Sequence, residues 1–277
     1  MSAYNQWLAE EYCAAAPDRL LALGAIPERG VTKAIAELEH CARLGLKGVC
    51  ISAFPNGSLR PAPEDDQFWA EALSMGMPIS IHDEIGQGKD VRDGSGGGAD
   101  LARRICAYGV KGAVSVSRLV IDGVFERFPA LQVYMAENQI GWVPNFLDQM
   151  DVLWARHRFW MEREQGLKSL DQPPSVYVRN NFHWGFMDNP YGVKIRHEVG
   201  IDRVMWGSDM PHAPSDWPYS VEVIERNFAG VPGDERKKML AGNAIRYFKL
   251  DSTFESTEER ERQVAERRAG KQAVAVT

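Results

Sequence analysis

The sequence of 277 residues lacks the features that mark several common classes of protein. It has no run of about 18 or more apolar residues, so no transmembrane helix is expected. Its first residues have neither a basic n-region nor an apolar h-region, so no secretory signal is expected. Lys and Arg number 32 against 38 Asp and Glu, giving a net charge of −6. Without a basic excess, nucleic acid is not an expected partner.

Cysteine is also scarce and shows no metal-binding spacing. The four residues, Cys13, Cys41, Cys50 and Cys106, form no CxxC pair. Most of them lie in apolar stretches, where a free cysteine packs as a small hydrophobic side chain. Reduced, buried thiols are typical of proteins in reducing compartments. We therefore expect a cytoplasmic protein whose chemistry does not depend on cysteine.

Short apolar runs alternate with amphipathic helical segments along most of the chain. This alternation predicts βα units and a parallel sheet, because parallel strands are covered by helices on both faces. The predicted strands fall in residues 19–26, 47–52, 78–83, 131–136, 176–182 and 203–206. A (β/α)8 barrel needs about 250 residues, and residues 1–251 form one such predicted domain. Residues 252–277 are predicted to be a charged tail with few large apolar groups.

Residues 86–98 contain six glycines in thirteen positions and follow the third predicted strand. A long βα loop of this kind is typical of an active-site lid, although a surface loop without a role has the same composition. No Gly-Lys-Ser/Thr follows, so a phosphate-binding loop is excluded.

Titratable residues follow three of the predicted strands. His82 and Asp83 end one strand, Glu137 ends the next, and Asp209 follows the last. In parallel barrels the catalytic groups lie at the carboxyl ends of strands. Imidazole and carboxylate groups gathered there can bind a divalent metal or act as general acids and bases. His212 is three residues from Asp209 and is expected to face the same cleft.

Several motifs resemble those of the amidohydrolase-related family, in the branch that includes aminocarboxymuconate semialdehyde decarboxylase. Residues 204–220 read VMWGSDMPHAPSDWPYS and resemble the closing motif of that family. Further matching motifs are FPALQV at 128–133, Glu137 followed by GWVP at 141–144, and NAIRYF at 243–248. The resemblance covers about residues 4–250, and its motifs are specific in combination.

The resemblance implies a distorted TIM barrel that holds one divalent metal, with zinc favoured over manganese or iron. It implies a hydrolase or decarboxylase of small, aromatic or unsaturated carboxylic acids, with either reaction left open. His82, Asp209 and Glu137 match the positions of metal ligands. Asp209 also matches the residue that orients or deprotonates water, with Glu137 and His212 assisting. Glu137 stands where many members of the family carry a histidine.

The sequence departs from the family at its beginning. The family's first strand ends in a His-x-His pair that supplies two metal ligands, and no such pair exists among the six isolated histidines. The barrel is therefore expected to be incomplete at its first strand, with a metal site open on one side. The alternative function is a catalytically inactive barrel, without a metal, that serves as a subunit or binding module.

Three further residues are candidates for contact with the substrate. His183 and Trp184 follow the strand predicted at 176–182, and Trp217 lies in the closing motif. A packed position in the core is the alternative for all three. The resemblance also implies a homodimer, through the long aromatic helix predicted at 142–165.

Overall fold

The computed structural model describes residues 1–82, 85, 112–212 and 215–250. Its centre is a parallel sheet of six strands that lie side by side in sequence order. The strands are β1 (Gly24–Ala25), β2 (Val49–Ile51), β3 (Ile79–His82), β4 (Val133–Ala136), β5 (Phe182–Phe186) and β6 (Val204–Trp206). This order is that of a βα barrel, in which each strand pairs with the next one along the chain. The prediction of an α/β fold with parallel strands is confirmed.

Helices connect the strands and cover the outer face of the sheet. They are α1 (Ser2–Trp7), α2 (Val31–Arg43), α3 (Asp66–Ser74), α4 (Ala113–Ile121), α5 (Val124–Arg127), α6 (Val143–Gln165), α7 (Pro174–Asn181), α8 (Pro190–Lys194), α9 (Arg196–Val199), α10 (Ser220–Asn227), α11 (Gly233–Lys237) and α12 (Asn243–Tyr247). Short π or 3-10 turns occupy Leu8–Tyr12, Cys13–Ala15, Pro63–Asp65, Ile201–Arg203 and Lys238–Gly242. None of the helices in the described ranges is long and apolar enough to cross a membrane.

The helical spacing in the sequence explains how these segments pack. In α2 the residues Ala34, Leu38 and Cys41 are fully buried, at the i, i+4 and i+7 spacing of one helix face. The helix ends before Gly45, whose φ of 75° is readily adopted only by glycine. Strand residues Val49, Ile51 and Ile81 are at most 1 % exposed, because helices cover the sheet.

Within the described residues the sheet does not close, since β1 and β6 each pair on one side only. The free edge of β1 is covered by a side chain from the beginning of the chain. The Asn5 amide donates to the Ala25 carbonyl at 3.0 Å and accepts from the Ala25 N–H at 2.8 Å. It also donates to Glu37 Oε1 at 2.7 Å. An unpaired strand edge is a site for unwanted pairing, and Asn5 satisfies the backbone there.

One predicted strand is wrong. Residues 176–182 were expected to be extended, and the structure places all but the last of them in α7, with β5 beginning at Phe182. Pro173 and Pro174 begin the helix, and Tyr177, Val178 and Asn181 bury one of its faces. Packing of this face decides the conformation, because intrinsic strand preference is weak against tertiary contacts.

Candidate active site

The carboxyl ends of β3, β4 and β6 bring together the polar residues that follow these strands. His82 is the last residue of β3 and pairs in register with Ala136, directly before Glu137. Asp209 and His212 lie in the loop after β6. Because parallel strands end at one edge, residues distant in sequence meet there.

Two hydrogen-bonded pairs form the centre of this group. His82 Nε2 lies 2.8 Å from Glu137 Oε1, and His212 Nδ1 lies 2.8 Å from Asp209 Oδ2. The two carboxylates are the more enclosed partners, with side chains 18 % and 10 % exposed, whereas both imidazoles are about half exposed or more. The acids therefore form the floor of the site, and the histidines face solvent.

Both carboxylate residues have a backbone conformation that L-amino acids rarely adopt. The φ angle is 58° at Glu137 and 60° at Asp209. Such left-handed conformations in residues other than glycine cost about 1–3 kcal/mol and concentrate at functional sites. The conformation turns each chain sharply where it leaves its strand. The surrounding fold therefore holds these two side chains at a cost in stability.

Glu137, Asp209 and His212 each offer a ligand atom within 4.8 Å of the other two. Two carboxylate oxygens and one imidazole nitrogen suit zinc and manganese, which accept mixed nitrogen and oxygen ligands. The residues present therefore fit a divalent metal. His82 contacts Glu137 without belonging to this group of three. The structure thus brings together all four predicted metal or catalytic residues, with His212 in the position expected for His82.

The electrostatics of the pair favour a shared proton or a bound cation. Burial raises the pKa of Asp209, and the hydrogen bond and negative charge of Glu137 raise it further, while the hydrogen bond from His212 lowers it. Two carboxylates in contact disfavour a second negative charge, and a cation between them removes that penalty.

His183 is not part of this site. Its Nε2 contacts Gln132 at 3.2 Å and Arg203 at 3.2 Å, both of which precede strands. It therefore lies toward the amino ends of the strands, opposite Glu137 and Asp209. This position does not support the expected contact with the substrate. The physical reason is that β5 begins at Phe182, so His183 starts a strand rather than following one.

The two tryptophans also differ from the expectation. Trp184 is 2 % exposed and packs edge-to-face against Trp142 on the helix-covered side of the sheet, so it is a core residue. Side chains alternate between the faces of a strand, which sends Trp184 outward. Trp217 lies after the closing loop and is 66 % exposed. Asp83, residues 86–98, Cys106 and the tail lie outside the described residues.

Sequence reasoning missed residues that shape the site from below. A Cβ on Gly185 would lie 2.5 Å from Tyr134 Oη and 3.0 Å from the Glu137 nitrogen, so only glycine permits this close approach. Cys50 lies next to the site, because the backbone N–H of His82 donates to its sulfur. Burial raises the pKa of the Cys50 thiol, and the negative charge of Glu137 raises it further. No sequence signal marks these contacts across strands.

Glu28 and Ser52 were also missed, although a signal existed. Ser52 Oγ donates to Glu28 Oε1 at 2.8 Å, beyond the carboxyl ends of β1 and β2. Ser52 directly follows β2 and Glu28 lies three residues after β1, so the rule that selected His82 and Glu137 finds both when it is widened to any polar residue near the end of a strand.

Comparisons with known proteins agree with this geometry. A gamma-resorcylate decarboxylase of Rhizobium sp. (strain MTP-10005) is 27 % identical over 264 residues, covering 89 % of this chain and 75 % of the relative. The 2,6-dihydroxybenzoate decarboxylase from Rhizobium has a similar structure, with a TM-score of 0.66, 25 % identity, and coverage of 90 % of this chain and 76 % of that chain.

A third relative contains a metal. It is the 5-carboxyvanillate decarboxylase from Novosphingobium aromaticivorans, complexed with manganese and 4-hydroxy-3-methoxy-5-nitrobenzoic acid. Its TM-score is 0.71 at 21 % identity, and the match covers 90 % of this chain and 69 % of that chain. A likeness at this identity supports the fold.

A family model also matches most of the chain. The model, described as Amidohydrolase (Amidohydro_2), covers residues 1–250, which include all six strands and both carboxylates of the site. The chain therefore belongs to this amidohydrolase family, as the closing motif and Glu137 had indicated.

Proposed function

We propose that the chain is a metal-dependent decarboxylase of a small aromatic carboxylic acid. The observation that carries the proposal is the convergence of Glu137, Asp209 and His212 within 4.8 Å at the carboxyl ends of the strands. The similarity to decarboxylases of hydroxylated benzoates favours decarboxylation over hydrolysis.

The residues proposed to hold the metal are Glu137, Asp209 and His212, with His82 beside them. The relative that contains manganese favours this metal over zinc, which the resemblance had favoured. When bound, such an ion supplies positive charge that attracts the substrate's carboxylate and neighbouring hydroxyl oxygens. Three protein ligands leave coordination positions open, as catalytic sites require.

The chain's own residues would manage one proton. Decarboxylation breaks the bond between the ring carbon and the carboxyl carbon, and the electron pair stays on the ring carbon as carbon dioxide leaves. That carbon must then receive a proton. Asp209 suits this role, because its carboxylate lies at the floor of the site and is hydrogen-bonded to His212. His212, hydrogen-bonded to Asp209 and more exposed, can return the proton from solvent.

Left-handed backbone at both acids supports preorganisation. Glu137 and Asp209 keep their positions through the turns after β4 and β6, so little rearrangement is needed when substrate arrives.

The exposed apolar side chains Leu153, Phe159 and Trp160 on α6 are consistent with the homodimer that the resemblance implies, which stays a prediction.

The test is an assay of the full chain, loaded with manganese or with zinc, on 2,6-dihydroxybenzoate, 5-carboxyvanillate and unsubstituted benzoate. We expect release of carbon dioxide from a hydroxylated substrate, and loss of both bound metal and activity in Asp209→Asn. Exposed Asp148→Asn on α6 is the matched control and should leave both unchanged. Absence of metal binding in the unaltered chain would favour the alternative, an inactive barrel that serves as a binding module.

A further inference from the structure

A cavity of about 440 Å³ lies at the opposite end of the sheet from the carboxylates. It is lined by residues that precede β3, β4 and β6, by His183 at the start of β5, and by α12 with the residues after it. Small-molecule sites usually measure about 300–1,000 Å³, so this space suits a compact organic ligand. Nothing in the proposed reaction uses it.

The charges around this cavity are predominantly positive. Arg203, Arg246 and Lys249 line it, and Asp202 is the acidic residue among the lining side chains. Asp202 is already engaged, because Lys238 Nζ lies 2.8 Å from its Oδ1 and Arg246 Nη1 lies 4.0 Å from the same atom. The cavity therefore carries an excess of positive charge that an anion would neutralise.

Arg203 is a half-buried cation on which the charge of the neighbouring Asp202 acts without an ion pair between them. Its Nη1 donates to Gln132 Oε1 at 2.9 Å and contacts His183 Nε2 at 3.2 Å, and both partners are neutral. No carboxylate in the described part of the chain lies within ion-pair distance of its guanidinium, and the group is half buried. Buried cations are normally paired, so a binding partner from outside fits this position.

Two polar atoms in the wall also lack a partner among the described residues. They are His183 Nδ1 and Asn243 Oδ1, both inaccessible to solvent. Asn243 donates through its nitrogen to the carbonyls of Ile201 and Val204 at 2.8 Å, which leaves its oxygen as an acceptor. His183 is neutral, because burial and the charges of Arg203 and Arg246 lower its pKa to about 3. Both atoms lie beneath the surface of the cavity, so its cations are the polar groups open to a ligand.

The remaining wall is apolar. Leu73, Met77, Pro78 and Leu131 face the same space as the arginines. A free inorganic anion would leave this surface in contact with water, whereas a ligand with an apolar body would cover it. The combination of cations and an apolar wall fits an anion that carries an apolar body.

We propose that this cavity binds an aromatic carboxylate of the size of benzoate, at a second site separate from the carboxylate cluster. Its carboxylate would lie between Arg203 and Arg246, and its ring against Leu73 and Met77. The proposal does not depend on the decarboxylase reaction.

The test is titration calorimetry of the full chain with benzoate. It is carried out in an Asp209→Asn background, so that binding at the candidate active site does not contribute. We expect saturable binding that Arg203→Gln and Arg246→Gln each weaken about tenfold or more, because each removes a charge-assisted hydrogen bond. Arg43→Gln is the matched control, since Arg43 is similarly exposed on α2, and should bind as the background does.

Circular dichroism shows whether each variant is folded. The Arg246 side chain is 61 % exposed, so Arg246→Gln is expected to fold and tests the proposal even if Arg203→Gln does not fold. Inorganic phosphate should bind more weakly than benzoate, because it leaves the apolar wall uncovered. Unchanged affinity in folded Arg246→Gln, or equal affinity for phosphate and benzoate, would overturn the proposal. So would the absence of measurable heat at millimolar benzoate.

Discussion

The two ends of the same strands carry opposite chemistry. At the carboxyl ends, Glu137 and Asp209 meet, with an imidazole beside each. At the amino ends, Arg203, Arg246 and Lys249 surround a cavity that has a single acidic side chain in its lining. Tyr247, which is buried, and the partly buried Tyr134 lie between these ends. Tyr247 Oη donates to the Ile79 carbonyl at 2.6 Å, and the Tyr134 ring lies 6.0 Å from that of Tyr247.

The difference follows from how the chain leaves and enters each strand. After β4 and β6 the chain turns through left-handed residues, which project the side chains of Glu137 and Asp209 into a common space. Before the strands, the chain arrives from helices, and α12 with its flanking residues packs across these entries. The carboxyl end is thus organised by strained turns, and the amino end by packing of the last helix.

The largest effect is expected from a substitution at the carboxyl ends of the strands, here called the acidic end. Glu137→Gln keeps the size of the side chain and a hydrogen-bonding group for His82 but removes one negative charge. We expect kcat for decarboxylation to fall about 100-fold or more, the usual range for loss of a group that assists proton transfer or metal binding. Bound metal should fall in the same variant, as measured by elemental analysis.

Thermal stability separates this effect from unfolding. The variant should be at least as stable as the unaltered chain, because it removes repulsion between Glu137 and Asp209. Glu39→Gln, at an exposed position on α2, is the control. Full activity of Glu137→Gln would show that the acidic end is not the reactive one.

A smaller effect is expected from Gly185, which lies under the acidic end. In Gly185→Ala the new methyl group would meet Tyr134 Oη and the Glu137 backbone nitrogen. Overpacking of this kind typically lowers the free energy of unfolding by about 1–3 kcal/mol. Urea denaturation measures it, with Gly233→Ala as a control that meets no atom within 4 Å. Equal stability of the two variants would contradict the close approach at Gly185.

The smallest effect concerns the basic end and depends on pH. Burial, followed by the charges of Arg203 and Arg246, lowers the pKa of His183 from 6.5 to about 3 in the folded chain. Between pH 6.5 and pH 3 the unfolded chain therefore binds more protons at this residue than the folded chain does. The free energy of unfolding is highest above pH 6.5, where His183 is neutral in both states, and decreases as the pH falls toward 3. Between pH 8 and pH 6 the expected loss from this group is about 1 kcal/mol.

Comparison of pH profiles isolates that contribution. His183→Gln should lose less stability than the unaltered chain between pH 8 and pH 6, as measured by urea denaturation at each pH. The control is His157→Gln, at an exposed position on α6, whose stability profile should match that of the unaltered chain. Parallel profiles for all three proteins would mean that His183 has an ordinary pKa and that the amino end is less cationic than the geometry indicates.

Much of the candidate site could be predicted from the sequence by one rule. The rule selects a titratable residue at, or within three residues after, the end of an apolar strand. It selected His82, Glu137 and Asp209, and all three lie at one end of the sheet. The rule needs only the order of strands and their common direction. It does not depend on the side-chain contacts that the fold makes later.

The same rule misplaced His183 because one boundary was wrong. With a strand at 176–182, His183 would follow the strand and face the site. Because α7 ends at Asn181, His183 is instead the second residue of β5 and faces the cavity at the opposite end. A shift of a few residues in a strand therefore reverses the end of the barrel at which a side chain lies, and boundaries are the weakest part of reasoning from sequence.

The sequence by itself determined the parallel βα architecture, the family and the residues at the carboxyl ends, because apolar periodicity and short motifs are local properties of the chain. The tertiary structure alone decided that His212, rather than His82, joins Glu137 and Asp209 within ligand distance of one another. It alone decided that Arg203, Arg246 and Asn243 share a cavity. These groupings depend on the angles of turns and the packing of helices across the sheet, which emerge only when distant segments meet.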